Sequence, residues 1–409
     1  MKKLNKIKTK NIANGLSQGM LPNVLSTKIK LKMLSLAMIG GLSLVSAAHA
    51  ASAQQMPMAK AEVYAEVDGA VGGITYTQNK RFIFSYHPFF NPNVKVAELL
   101  KNGETRAFPN NEMQHAYDSN GNLKNQSDYL NWVLGVRADG RGTVWILDSG
   151  QAEPRTTPKL VAWDVTHDRL SQIIYLPEPI SLAESQLNDL AISHKYQRIV
   201  IADEGIGQGP NGDKAALVVV NTETGASRRI LQGTESVLPD YSMPIISDEG
   251  MPTHKQIDAF IGADGIVLDN AEKWLYFAPL NKQYVYRIAM ADIANDALSD
   301  KQLAEKVQRY AEKPNNGGLS IDADDNLYLT IVGGRKVGVI PADTREYRDF
   351  AADKDMIWPD GVSIGPDGYM YTGAAQLPLS AAFNDGVGSN KAPYLIYKFK
   401  PLAEGVVGR

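Results

Sequence analysis

From about residue 60 onward, apolar positions alternate with polar ones in short runs bounded by Gly, Asp, Asn and Pro. That period of two predicts β-strands joined by tight turns rather than amphipathic helices. The pattern is plainest at Leu134-Gly135-Val136-Arg137-Ala138, an Asp139-Gly140 turn, and then residues 143–148 and 159–164. The same order returns at 187–192, 198–203 and 216–221; at 262–268, 274–278 and 284–288; and at 316–321, 326–330 and 336–340. It closes on Trp358-Pro359-Asp360-Gly361-Val362, followed by a Pro366-Asp367-Gly368 turn and an aromatic strand, and it is foreshadowed by 72–76 and 81–86.

With Gly73, Gly135, Leu190, Gly265, Gly318 and Gly361 set equivalent, six units of several short strands account for nearly all of residues 60–400. Repeats of roughly 40 to 50 residues with several strands each predict an all-β fold, a six-bladed β-propeller. Residues 62–67 alternate polar and apolar and are expected to close the ring as the outer strand of the sixth blade beside residues 394–399, which removes an exposed edge. Three long connections remain, at 88–129, 238–262 and 376–393, where propellers carry binding rims or lids. The best helical pattern, residues 289–309, reads as an excursion between blades.

Residues 1–50 read differently. They hold eight lysines and no acid, run into an apolar stretch from Met33 to Ala48, and end at Ala48-His49-Ala50 and Ala51-Ser52-Ala53. A basic region, an apolar core and an A-x-A site together predict a secretory signal peptide followed by one propeller domain over 51–409, and hence a periplasmic or secreted protein. The apolar stretch is short for a membrane span, so no stable membrane partner is expected after cleavage. Without the leader, 34 basic residues face 45 acidic ones, which argues against nucleic acid as a partner. The chain has no cysteine, which excludes disulfides, thiolate metal sites and cysteine nucleophiles.

In a propeller the first strand of each blade lines the central channel. Polar residues at the starts of those strands therefore converge from distant parts of the chain, and Asn188, Asp189, Asp264, Asn316 and Asp360 are the candidates. Such a ring of oxygens suits a hard cation such as Ca2+ or another divalent ion in the channel, or an ammonium group with Trp358 supplying an aromatic face. Turn capping through backbone bonds is the competing account for each Asp and Asn. Asp139, Asp324-Asp325-Asn326 and Asp367 fall between first and second strands and are expected to shape turns. The histidines show no H-E-x-x-H pairing; His87 and His115, in or beside the early loop, are placed to shuttle protons or are ordinary loop histidines. Gly205-Ile206-Gly207-Gln208-Gly209 lacks dinucleotide spacing and reads as a mobile blade connection.

Several of these stretches resemble the major royal jelly protein and yellow family: residues 144–150, 158–164, Asn188-Asp189-Leu190 with Ala202-Asp203, 264–268 with 275–280, and above all Trp358-Pro359-Asp360-Gly361-Val362-Ser363-Ile364. The resemblance implies a six-bladed propeller. It also implies a small-molecule ligand at the channel, since some members are linked to dopachrome conversion and some bind biogenic amines. A more distant likeness to gluconolactonase and regucalcin propellers implies one divalent ion in the channel, with Asn188, Asp264 and Asp360 as the matching donors. No glutamate matches at the first blade, where Gly72-Gly73 stands. The expected function is thus an exported propeller that binds a small aromatic or amine-like molecule, with Asp264 and Asp360 as proton-transfer residues and Asn188, Asp189, Asn316 and Trp358 holding the ligand. The alternatives are a metal-dependent lactone or ester hydrolase and a binding protein without turnover.

Overall fold

The computed structural model describes residues 57–247, 256–384 and 386–409. The expected leader therefore lies outside the described residues. Within them the chain forms six antiparallel sheets of four strands around one axis, a six-bladed β-propeller. Blade one is Val71–Tyr76, Phe82–Tyr86, Val96–Leu99 and Thr105–Ala107, and blade two Val133–Ala138, Thr143–Asp148, Lys159–Asp164 and Arg169–Tyr175. Blade three is Leu187–Ser193, Arg198–Asp203, Ala216–Asn221 and Ser227–Ile230, and blade four Ala263–Leu268, Trp274–Pro279, Tyr284–Ala289 and Gln308–Glu312. Blade five comprises Leu319–Ile321, Leu327–Ile331, Lys336–Ile340 and Arg348–Ala352, with Ala59–Lys60 added parallel at its outer edge. Blade six comprises Pro359–Ile364, Met370–Ala374 and Tyr394–Phe399, and its outermost strand is Glu62–Val67, antiparallel to Tyr394–Phe399 with Val67 opposite Tyr394.

The core lies between neighbouring blades, where alternate residues of facing sheets interdigitate. Between blades two and three, for example, Trp145, Leu147 and Leu160 pack on Leu190, Ile199 and Val218. Buried tyrosine hydroxyls are satisfied by turn acids: Tyr328 donates to Asp322 Oδ2 at 2.8 Å and Tyr371 to Asp367 Oδ2 at 2.7 Å. Asp139 accepts from the Arg141 and Thr143 amides at 2.7 and 2.9 Å, so it shapes its turn as the pattern predicts.

Three local expectations change. Residues 88–129 are not a single loop, because they contain the two outer strands of blade one. The helical pattern at 289–309 breaks into Met290–Ile293 and Asp300–Ala304, the second opened by a Ser299 capping box, and lies inside blade four between its third and fourth strands. The Gly205–Gly209 stretch likewise lies inside blade three, between its second and third strands, rather than between blades. No described helix is long and apolar enough to cross a membrane.

Candidate functional site: the acidic mouth of the channel

Each inner strand except that of blade five begins with a break in its ladder: between Val71 and Ile74, Val133 and Val136, Leu187 and Leu190, Ala263 and Gly265, and Pro359 and Val362. Such bulges re-aim side chains, and these turn Asn188, Asp189, Asp264 and Asp360 onto the channel. The glycines beside them allow the inner strands to approach backbone to backbone. A Cβ on Gly361 would lie 2.6 Å from the Gly72 carbonyl oxygen, and one on Gly265 would lie 2.5 Å from that of Gly317. The Asp-Gly pair at these strand openings thus does two jobs, the acid facing the channel and the glycine closing the ring.

At one end of the channel Asp264, Asp360, Asn188, Glu204 and Gln186 line a cavity that retains about 20 Å3 of open space, room for one water molecule or monatomic ion. Asn188 Nδ2 donates to Glu204 Oε1 at 2.9 Å and to Asp264 Oδ1 at 2.6 Å, bridging the two carboxylates. Phe89, Trp358, Leu377 and Phe383 form an apolar roof, with the Trp358 and Phe383 rings 5.8 Å apart. Trp358 itself is buried and held in the left-handed region at φ 54°, so the residue before Pro359 carries its ring over Asp360 rather than outward.

Burial raises the pKa of all three carboxylates. The Glu204 carboxyl lies well above the usual range because it is desolvated and faces Asp264. Asp264 is raised by burial and then by the charge of Asp360, against which buried Lys313 pulls. Asp360 is pushed up to about 7, first by burial and second by Asp189. Lys313 Nζ sits among the carbonyls of Pro279, Leu280 and Lys282 at 2.9, 3.2 and 2.7 Å, and burial pushes it down to about 7.

His87 stands beside this group, with Nε2 3.8 Å from Asp360 Oδ2. Burial pushes its pKa down to about 3, so the ring is neutral, and the Phe89 amide donates to Nδ1 at 3.3 Å. Its proton is therefore on Nε2, facing Asp360. With its second nitrogen committed to the backbone, His87 is fixed as a donor and is not placed as a base that relays protons.

The remaining candidates divide. Asp189 is on the channel but its carboxylate is met by Arg137 Nη2 at 2.9 and 2.8 Å. Asn316 is buried, lines neither channel cavity, and donates to the Gly317 and Gly318 carbonyls at 2.7 and 3.3 Å, which holds the entrance of blade five in shape. Glu204, Gln186 and the roof residues Phe89 and Phe383 were not predicted. Glu204 directly follows the second strand of blade three, which ends at Asp203. There the pattern marks only Asp203, which caps its loop through the Gln186 and Gly205 amides at 2.9 and 3.0 Å and pairs with Arg229. The readable signal was the acid doublet before Gly205.

Fold and site together define a six-bladed propeller with a buried acidic cluster under an aromatic roof at one channel mouth. Residues 133–402, well over half of the chain, match the major royal jelly protein family, and the chain belongs to that family. No curated protein matches it by sequence. Among solved structures it is similar to a gluconolactonase from Xanthomonas campestris (11% identity, TM-score 0.53, covering 84% of this chain and 90% of that one). It is also similar to a luciferin-regenerating enzyme (13%, 0.51, 86% and 98%) and to the calcium-binding protein regucalcin from Agrobacterium tumefaciens (11%, 0.50, 85% and 98%). Likeness at such identity speaks for the fold alone.

Proposed function

We propose that the protein is an exported propeller that binds a small aromatic or amine-like molecule at the acidic channel mouth and moves a proton on it, a tautomerisation of the dopachrome type. The observation that carries this reading is Asp360. A carboxyl poised at about 7 is half ionised near neutral pH, so it accepts and returns a proton with little driving-force penalty. The Nε2–H of His87 faces the same carboxyl, and Trp358 and Phe383 offer flat apolar surface for a ring once they move apart, since the closed mouth holds only about 20 Å3. Asp264 and Glu204 add acidic oxygens that can accept hydrogen bonds from an ammonium and ionise to meet its charge. The basic, apolar and A-x-A succession of residues 1–50 supports export.

Dopachrome decay measured with wild type and Asp360→Asn tests this. Wild type is expected to exceed the spontaneous rate and the variant to fall at least about a hundredfold toward it. Equal decay in both at the spontaneous rate removes the reading.

A second reading, metal-assisted hydrolysis of a lactone or ester, would draw on the carboxylate oxygens of Glu204, Asp264 and Asp360, hard donors of the kind Ca2+ takes, although among the described residues no three acidic or histidine side chains are grouped closely enough to hold an ion. Against it, the Asn188 amide nitrogen points between Glu204 and Asp264, so an ion there requires that amide to turn its oxygen inward. Metal analysis of the purified protein before and after EDTA distinguishes the two: stoichiometric metal lost with EDTA favours hydrolysis.

A further inference from the structure

The channel mouth leaves space for little more than a water molecule, yet on the other side of His87 a cavity of about 450 Å3 opens at the junction of blades one and six. That volume lies within the roughly 300–1,000 Å3 usual for small-molecule sites. Its walls include Tyr86, Phe90 and Tyr394. The Phe90 and Tyr394 rings stand 6.0 Å apart at 72°, and the His87 ring stands 6.2 Å from Phe90 at 84°. Rings meeting near right angles form a corner of π faces, the geometry that takes a methylated cation.

The charges at the rim agree. Asp68 lines the cavity with Oδ1 accepting the Tyr86 hydroxyl at 2.8 Å, and among the described residues no lysine or arginine is paired with it. Glu66 and Glu104 flank the adjoining surface hollow. The one cationic residue on the lining, Arg106, is committed elsewhere: its Nε and Nη2 donate to Glu98 Oε2 at 2.9 and 2.8 Å. Glu98 and Arg106 are cross-strand partners, as are Ala97 and Ala107, which line the cavity. Strand alternation therefore sends the Glu98–Arg106 pair to the opposite face of the sheet.

We propose that this cavity binds an organic ammonium ion of the quaternary or methylated type, its charge met by Asp68 and its methyl groups seated against Phe90 and Tyr394. A bare metal ion would gain nothing from the aromatic corner, and a neutral aromatic would gain nothing from the acidic rim. The site is independent of the channel chemistry, from which His87 divides it.

Calorimetric titration of the full chain with choline and with 3,3-dimethylbutan-1-ol, its uncharged isostere, tests the proposal. Choline is expected to saturate one site, and the isostere to bind at least about tenfold more weakly. Asp68→Asn, at an exposed position, should leave thermal unfolding unchanged and weaken choline about tenfold, with Phe90→Leu acting in the same direction. Asp360→Asn should bind choline as wild type does, whatever its effect on dopachrome decay. The proposal is overturned by no saturable binding up to about 50 mM, by equal affinity for choline and its isostere, by binding indifferent to Asp68→Asn, or by binding lost in Asp360→Asn, which would place the cation in the channel.

Discussion

The far half of the channel carries a carboxylate with a cation against it, whereas the mouth carries three with far less compensation. Toward the far end Asp189 receives two contacts from Arg137, and Arg137 and Arg409 line that end together with Leu190, Ile266 and Val406. The segment reaching Arg409 is laid across the inner strands: the Gly408 amide donates to the Ile364 carbonyl at 2.9 Å, and Arg409 Nη1 to that of Asp269 at 2.9 Å. At the mouth, Glu204, Asp264 and Asp360 face one another, with Asn188 as bridge and Lys313 set back among backbone carbonyls. The same residue type, placed by the same bulged strand openings, is structural where a guanidinium accompanies it. Where none does, burial turns it into a proton-binding group.

The sharpest way to break this contrast is to remove the compensation at the far end. Arg137→Met leaves the partly buried Asp189 carboxylate without its partner, and stability measured by urea unfolding is expected to fall by about 2 kcal/mol or more. The double variant with Asp189→Asn should recover most of that loss. A change below about 1 kcal/mol in the single variant would mean that solvent already screens the pair, and the distinction between the halves would fail.

The next effect belongs to the mouth and has a sign of its own. Asp360 holds its proton to about 7 in the folded chain against 3.8 when unfolded. Between those values the native state keeps a proton that the unfolded chain has released. Its contribution to stability is complete below about pH 4 and is lost as pH rises through 7, at up to about 1.4 kcal/mol per unit. Glu204 and Asp264 act in the same direction. His87, held down at about 3, opposes this below about pH 6.5, but one ring against three carboxyls leaves urea midpoints falling between pH 4.5 and 7.5, and Asp360→Asn should make that slope shallower by about one proton. An identical slope in the variant would place the titrating group elsewhere.

The propeller and its six inner strands were legible because period-two alternation recurs in every unit and Asp-Gly or Gly-Gly openings recur in four of the six, blades two and three opening instead with Leu134-Gly135 and Asn188-Asp189-Leu190. The outer strands of blade one were not, since Val96–Leu99 and Thr105–Ala107 are short and embedded among Pro, Asn and Gly. Convergence of Asn188, Asp264 and Asp360 followed from topology alone. The difference between Asp189 and Asp360 did not, because Arg137 reaches Asp189 from the neighbouring blade and nothing local to either acid reveals it. Glu204 was hidden for a related reason. Its neighbour Asp203 takes the capping role that the local pattern advertises; strand pairing sets Glu204 beside Asn188, and only the curvature of the ring brings it to Asp264 in the next blade.

The smallest expected effect is the most discriminating about the mouth itself. Glu204→Gln keeps the side chain's size but removes one of three mutually repelling charges, which favours the folded state once the others ionise. It also turns an amide group toward either Gln186 Nε2 or Asn188 Nδ2, both of which donate to Glu204 in the native chain, so one hydrogen bond worth about 1 kcal/mol is lost. At pH 5, where Asp360 is largely protonated and burial makes Asp264 and Glu204 hold their protons more tightly than ordinary carboxyls, the loss should dominate and the variant should be slightly less stable than wild type. At pH 8 the relief of repulsion should offset it, so the difference between variant and wild type moves toward the variant by about 1 kcal/mol across that range. A difference that stays constant with pH would mean that the three carboxylates do not sense one another, and the mouth would then be no more reactive than the paired far end.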